Sequence, residues 1–223
     1  MRWNWRVKGL RAARVARLLK TQGFRAIPPR SYTPQTAQSR HRLGYNQNLL
    51  VGRAAPTRSN DVWVGDITYI PLVARNGIGR FGYLALLMDL WSRRIVGWEC
   101  GSSLAEDLVL GALSRAIRER QPGPGLIHHS DRGGQYAGTR YRAVLRRAGM
   151  RQSMNAAESC YDAFMESCFG TLKTELEEAE YGGNPEAVRE IVECIRYDNV
   201  ERRHSSLGYV SPVEFEEQPA VQK

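Results

Sequence analysis

From Val62 to Leu72 the chain is dominated by apolar, β-branched and aromatic residues, interrupted by one acid, Asp66. That run predicts a strand. Tyr83 to Leu90 and Arg94 to Glu99 repeat the pattern, with turn residues at Asn76, Gly77 and Gly79 and again from Asp89 to Arg93. Three strands joined this closely make an antiparallel meander. The period then changes from two to between three and four. Leu104, Leu108, Ala112, Leu113, Ala116 and Ile117 form a helical stripe, opened by the capping box Ser103-Leu-Ala-Glu106 and stopped by Pro122 and Gly123. Leu126 to His129 predicts a fourth strand, Thr139 to Ala148 a helix ended by Gly149, and Met150 to Met154 a fifth strand. Asp162 is placed to cap a third helix carrying Phe164, Cys168, Leu172 and Leu176, and a fourth helix runs from about Pro185 to Tyr197. The order β-β-β-α-β-α-β-α-α implies an α/β fold, a mixed five-stranded sheet flanked by helices, with the first and fourth strands side by side at its centre.

Ahead of this core, Gly9 to Gln22 reads as a short basic helix closed by Gly23. Pro28, Pro29 and Pro34 then break regular structure, and the polar stretch from Tyr32 to about Asn60 reads as a linker. The expected division is residues 1–52 as a helical basic segment and linker, 53–217 as the core, and 218–223 as a tail.

Charge adds a partner class. The chain has 223 residues and a net charge of +9. Arg6, Lys8, Arg11, Arg14, Arg17, Lys20, Arg25, Arg30, Arg40, Arg42 and Arg53 lie in its first quarter. Such a segment suits a polyanion through counterion release, or serves as solubilising charge. No apolar run approaches the ~20 residues that span a bilayer, and no signal-peptide pattern follows the basic start, so a soluble cytoplasmic protein is expected. Cys100, Cys160, Cys168 and Cys194 have neither the spacing nor the histidine partners of a zinc site and read as reduced, small apolar residues.

Three carboxylates then stand out. Asp66 lies inside an apolar strand, where an acid is costly unless paired or metal-bound. Asp131 follows the fourth strand and precedes Gly133 and Gly134, which let the backbone turn. Glu166 falls in the first turn of the third helix. Carboxylates on two strands and a helix can hold divalent cations that activate a hydroxyl and stabilise a leaving oxygen. Singly, each also reads as an edge acid, a turn residue or a first-turn helix acid. Lys173, two helical turns after Glu166, could reach a phosphate or be solvated. His128 and His129 read as strand residues, and Asp89 as a turn residue.

The ordered set Trp63-Val-Gly-Asp66-Ile-Thr-Tyr-Ile70, Asp89-x-x-Ser92-Arg93-x-Ile95-Val-Gly-Trp98, His128-His-Ser-Asp131-Arg-Gly-x-Gln-Tyr136, Glu166-Ser, Thr171-Leu-Lys-Thr-Glu175 and Arg203-His204-Ser-Ser-Leu-Gly-Tyr209-x-Ser-Pro212 resembles the second-frame (OrfB) transposase of the insertion-sequence three family, whose core is similar to retroviral integrases. The resemblance covers nearly all of residues 53 to 217. It implies a ribonuclease-H-like fold and an Asp66–Asp131–Glu166 triad on Mg²⁺ or Mn²⁺. It implies DNA strand cleavage followed by 3′-hydroxyl strand transfer. Lys173, Arg132, Arg203 and His204 are the expected DNA contacts. Partners implied are double-stranded DNA, further copies of the chain on DNA, and an upstream-frame helix-turn-helix protein, at the nucleoid. Two departures set further expectations. One residue fewer than the family pattern separates Asp131 from Glu166. If it is lost within the helix, Glu166 rotates by about 100°; if in the loop, it does not. Only the last part of a helix-turn-helix region, around Arg14 to Leu19, is recognisable, so residues 1–52 read as a truncated remnant. A non-catalytic DNA-binding remnant and a nuclease of the same fold are the alternatives.

Overall fold

The computed structural model describes residues 12–23, 43–73, 79–155, 162–176 and 184–218. The chain divides into two compact units, Met1–Tyr32 and Thr33–Lys223. Of the first, helix α1 (Ala12–Thr21) is described, ending in a Thr21 hydroxyl bond to the Leu18 carbonyl.

In the second unit, β1 (Val62–Val73) pairs antiparallel with β2 (Gly79–Asp89), and β2 with β3 (Ile95–Gly101). Helix α2 (Glu106–Arg120) leads to β4 (Ile127–Asp131), which lies parallel to β1. Helices α3 (Gly134–Ala137) and α4 (Thr139–Arg147) return the chain to β5 (Arg151–Asn155), parallel to β4. Helices α5 (Asp162–Leu176) and α6 (Asn184–Val200), a 3₁₀ turn (Ser205–Leu207) and α7 (Pro212–Glu217) complete the unit. The sheet order is β3-β2-β1-β4-β5. The mixed sheet and the central β1–β4 pair expected from the hydrophobic pattern are both present.

Alternation along the strands feeds a core on each face. Val62, Val64, Leu84, Leu86, Met88 and Ile127 pack with Met165, Phe169, Leu172 and Leu176 of α5 and with Ile191 and Ile195 of α6. Trp63, Ala85 and Leu87 pack on the other face with Leu108, Val109, Ala112 and Leu113 of α2, Tyr141 and Leu145 of α4, and Tyr136. β3 and α2 meet at a glycine: a Cβ on Gly97 would lie 2.4 Å from the Ala112 carbonyl oxygen.

Several local expectations are corrected. Ala105, not Ser103, precedes the first turn of α2, and no side chain caps it; the Glu106 carboxylate instead accepts from the Tyr141 amide. The short helix α3, the 3₁₀ turn and α7 were not legible as periodic runs, being too short to show a period. The stretch read as a linker up to Asn60 makes contacts with the core between Leu43 and Leu50. Leu50 is buried, the Leu49 amide donates to Ser153 Oγ, Asn46 bonds Gln152, and Arg142 donates to the Leu43 and Gly44 carbonyls. The turn at Asn76 and Gly77 and residue Cys160 lie outside the described residues. Cys100, Cys168 and Cys194 are free thiols, as expected. Among the described residues, no helix is long and apolar enough to cross a membrane.

Candidate active site

The register brings the two aspartates together. β1 and β4 are parallel with Gly65 opposite Ser130, so Asp66 and Asp131 are the next positions on adjacent strands, where neighbouring strands lie about 4.8 Å apart. Alternation puts Asp66 on the side of Val64 and Asp131 on the side of Ile127, and both of those residues belong to the core beneath α5 and α6. Two acids of distant sequence are thus neighbours on one face. Each is held locally. The Ile67 amide donates to Asp66 Oδ1 at 2.7 Å, and the Gly133 amide donates to Asp131 Oδ1 at 2.9 Å. A Cβ on Gly133 would lie 2.9 Å from Asp131 Oδ1, so glycine allows this close wrap.

The opposite face carries a buried ring cluster. Tyr141 Oη and His128 Nε2 are 2.8 Å apart, and the rings of His128, Tyr136 and Tyr141 stack at tilted or edge angles. Burial pushes the His128 imidazole down to about 3, with His129 adding to the effect, so His128 is neutral. The Tyr136 phenol is raised well above 10, first by burial, then by Tyr141 and by the charges of Asp66 and Asp131. Tyr136 therefore senses both aspartates, a relation that its position in the His128–Tyr136 motif does not disclose. His129 Nδ1 is 2.8 Å from Ser153 Oγ. Both histidines are buried residues of β4.

Glu166 is on α5, one residue beyond the first turn, and is exposed. Its neighbour Met165, with Phe169, Leu172 and Leu176, faces the core. These four fix the rotation of the helix about its axis, and all but one lie after Glu166. Glu166 lies beside that buried stripe. Lys173 is on the same flank as Glu166. Among the described residues, no three histidine, cysteine or acidic side chains come together closely enough to hold a metal ion. The donor chemistry of the two aspartates suits a hard divalent cation, but Glu166 does not converge with them.

The other expected contacts are dispersed. The Arg132 guanidinium is 4.7 Å from the centroid of the Tyr45 ring, in the stretch from Leu43 to Leu50. Arg203 is exposed. His204 pairs with Val210 in an isolated bridge and lies 3.6 Å from Asp198.

Asp89 is more than a turn residue. It is fully buried and accepts from the amides of Asn60, Trp91 and Ser92. Beside it, Glu216 of α7 accepts from Ser92, Arg94 and both terminal nitrogens of Arg120 at 2.7–2.8 Å. The sequence offered no signal for this clamp, whose members are about a hundred residues apart.

The Integrase core domain family matches residues 56–160, and a second Integrase core domain family matches residues 148–212. A 31 kDa protein of insertion element IS600 from Shigella sonnei is 40% identical over 92% of this chain and 74% of its own length. The transposase InsF of IS3fB from Escherichia coli is 39% identical over 92% of this chain and 70% of its own. The transposase of IS904 from Lactococcus lactis is 43% identical over 76% and 66%. Among solved structures, a chain of the simian T-cell lymphotropic virus intasome bound to PP2A regulatory subunit B56 gamma superposes with a TM-score of 0.63. It has 14% identity and covers 96% of this chain and 70% of that one. The magnesium-bound HTLV-2 integrase catalytic core superposes at 0.58 with 14% identity, covering 72% and 98%. These retroviral cores carry the ribonuclease-H-like fold.

Proposed function

The chain belongs to the integrase-core family of insertion-sequence transposases, and on that premise we propose that Asp66, Asp131 and Glu166 are its catalytic carboxylates. The reaction is cleavage of a DNA strand at an element end and attack of the freed 3′-hydroxyl on a target strand. The observation that carries this reading is the adjacency of Asp66 and Asp131 on parallel β1 and β4, on the face covered by α5. A Mg²⁺ or Mn²⁺ ion held there would supply Lewis-acid activation of a hydroxyl and charge neutralisation at the scissile phosphate.

The protein's own residues orient that site. The Ile67 and Gly133 amides fix one oxygen of each aspartate. Glu166 completes the set by approach of the start of α5 to the sheet. One flank of α5 lines a cavity with Met88 and Arg93; helical spacing puts Glu166 and Lys173 on the opposite flank. Lys173 and Arg132 would neutralise DNA phosphates. Residues 53–217 form the catalytic core, and 1–52 a DNA-contacting segment. The protein acts on double-stranded DNA in the cytoplasm, at the nucleoid, as more than one copy, with an upstream-frame partner.

The test is strand transfer by the full chain on a duplex bearing its element's terminal repeats, with Mg²⁺. Asp66→Asn and Asp131→Asn are expected to lose about a thousand-fold in rate, ~4 kcal/mol at 1.36 kcal/mol per decade. Retained activity in either would refute the triad. The exposed, non-converged Glu166 favours a second reading, a copy impaired at that residue. An inactive starting chain that gains activity on insertion of Asn after Asp162 would establish it.

A further inference from the structure

On the flank of α5 opposite Glu166, a cavity of ≈130 Å³ opens between α5, the β2–β3 turn and the segment after α6. Arg93 and Arg202 both line it. The Arg93 backbone is left-handed, with φ of 62°, an uncommon state for a non-glycine residue. Hydrogen bonds hold it there: the Arg93 amide donates to the Asp89 carbonyl at 2.8 Å, and the Asp89 amide to the Arg94 carbonyl at 2.9 Å. The guanidinium then lies 3.4 Å over the Phe164 ring. Stacking fixes its plane and leaves its edge to donate. Two of its nitrogens, Nε and Nη1, are buried without a hydrogen-bond partner. Among the described residues, no carboxylate lies within ion-pair distance of Arg93. Burial also lowers its proton affinity, with Asp89 opposing that effect.

An acid, Asp198, also lines the cavity: its Oδ1 is 2.9 Å from Arg202 Nε, and its Oδ2, buried without a hydrogen-bond partner, is 3.6 Å from His204 Nε2. Ser167 and Ser206, both exposed, add hydroxyls at the rim. A guanidinium held in plane with two unpartnered nitrogens, beside hydroxyls, can donate to the oxygens of an oxyanion in the cavity.

We propose that this cavity is an anchoring site for one backbone phosphate of DNA, gripped by Arg93 and distinct from the carboxylate site. The proposal rests on the DNA-acting reading above. It gives α5 two working flanks, one toward the reacting strand and one toward a phosphate away from the reaction.

The test is binding of the full chain to a terminal-repeat duplex in EDTA, titrated with salt, so that catalysis plays no part. Arg93→Met is expected to weaken binding roughly five-fold and to reduce the slope of log K against log salt by about one. Ser206→Glu places a negative charge at the rim without touching the core and is expected to act in the same direction. Ser205→Glu, an equally exposed neighbour outside the cavity lining, is expected to have less than half that effect. Ser206→Glu decides the matter should Arg93→Met fail to fold. Unchanged affinity and slope in Ser206→Glu overturn the proposal, as does an equal loss in Ser205→Glu. If inorganic phosphate protects Arg93 from a guanidinium-modifying reagent while neither substitution moves the DNA slope, the ligand is free phosphate and the DNA assignment falls. Absence of any DNA binding by the starting chain would instead remove the functional reading beneath it.

Discussion

At the scale of single residues, burial sets the strongest constraints. Gly97 touches α2 so closely that a methyl group would lie 2.4 Å from the Ala112 carbonyl oxygen and 2.7 Å from the Ala116 Cβ. Gly97→Ala is therefore expected to cost about 1–3 kcal/mol, read as a lower urea midpoint with an unchanged m-value. His128 gives a pH dependence. Its folded value is about 3 against 6.5 for the free side chain, so between these limits the unfolded chain binds the extra proton. Its contribution to stability is complete above pH 6.5 and declines as pH falls toward 3, by at most about 1.4 kcal/mol per unit. His128→Gln is expected to flatten the urea-measured stability profile between pH 6 and 4; an unaltered slope would show that His128 protonates in the folded state. The sequence exposed Asp66 and Asp131 because an acid in an apolar strand and an acid before two glycines are locally anomalous. Arg93 and Tyr136 stayed hidden for the opposite reason. Their neighbours, Phe164 for one and the two aspartates for the other, are supplied by folding.

At the scale of elements, long amphipathic runs were readable and short ones were not. β1, β2, α2 and α6 each extend far enough for their period to show, whereas α3 and α7 have four and six residues. α7 matters despite its length. Its Glu216 joins Ser92 and Arg94 of the β2–β3 connection to Arg120 of α2, and Phe215 packs 4.8 Å from Trp91. This ties the end of the described core to the turn that carries Arg93. Glu216→Ala is expected to destabilise by roughly 2–4 kcal/mol, below the value for a wholly buried pair because Arg94 is one-third exposed. Thermal unfolding of this variant should show the loss; a shift of under about 0.5 kcal/mol would mean that α7 is held by the Trp91–Phe215 contact alone. The register of α5 was the element-level question raised by the short spacing before Glu166. Met165, Phe169, Leu172 and Leu176 set the rotation of α5 on the core, since a buried stripe fixes a helix's rotation more firmly than its start does.

At the scale of the whole molecule, a mixed sheet with β1 and β4 at its centre turns two distant aspartates into neighbours, and the integrase-core family uses such a core in transposases. Element order made that topology legible, because three meander strands followed by βα units leave few ways to place the fourth strand. What order did not disclose is the distance from Glu166 to the pair, which depends on how α5 approaches the sheet. The central claim is that Asp131 touches a metal ion during strand transfer. Asp131→Cys tests it, since a thiolate ligand disfavours Mg²⁺ more than Mn²⁺. Strand transfer by the full chain, or by the form with Asn inserted after Asp162 if only that form is active, should be lost in Mg²⁺ and partly regained in Mn²⁺. Equal rates in the two metals, or a rate that the substitution leaves unchanged, would contradict the account.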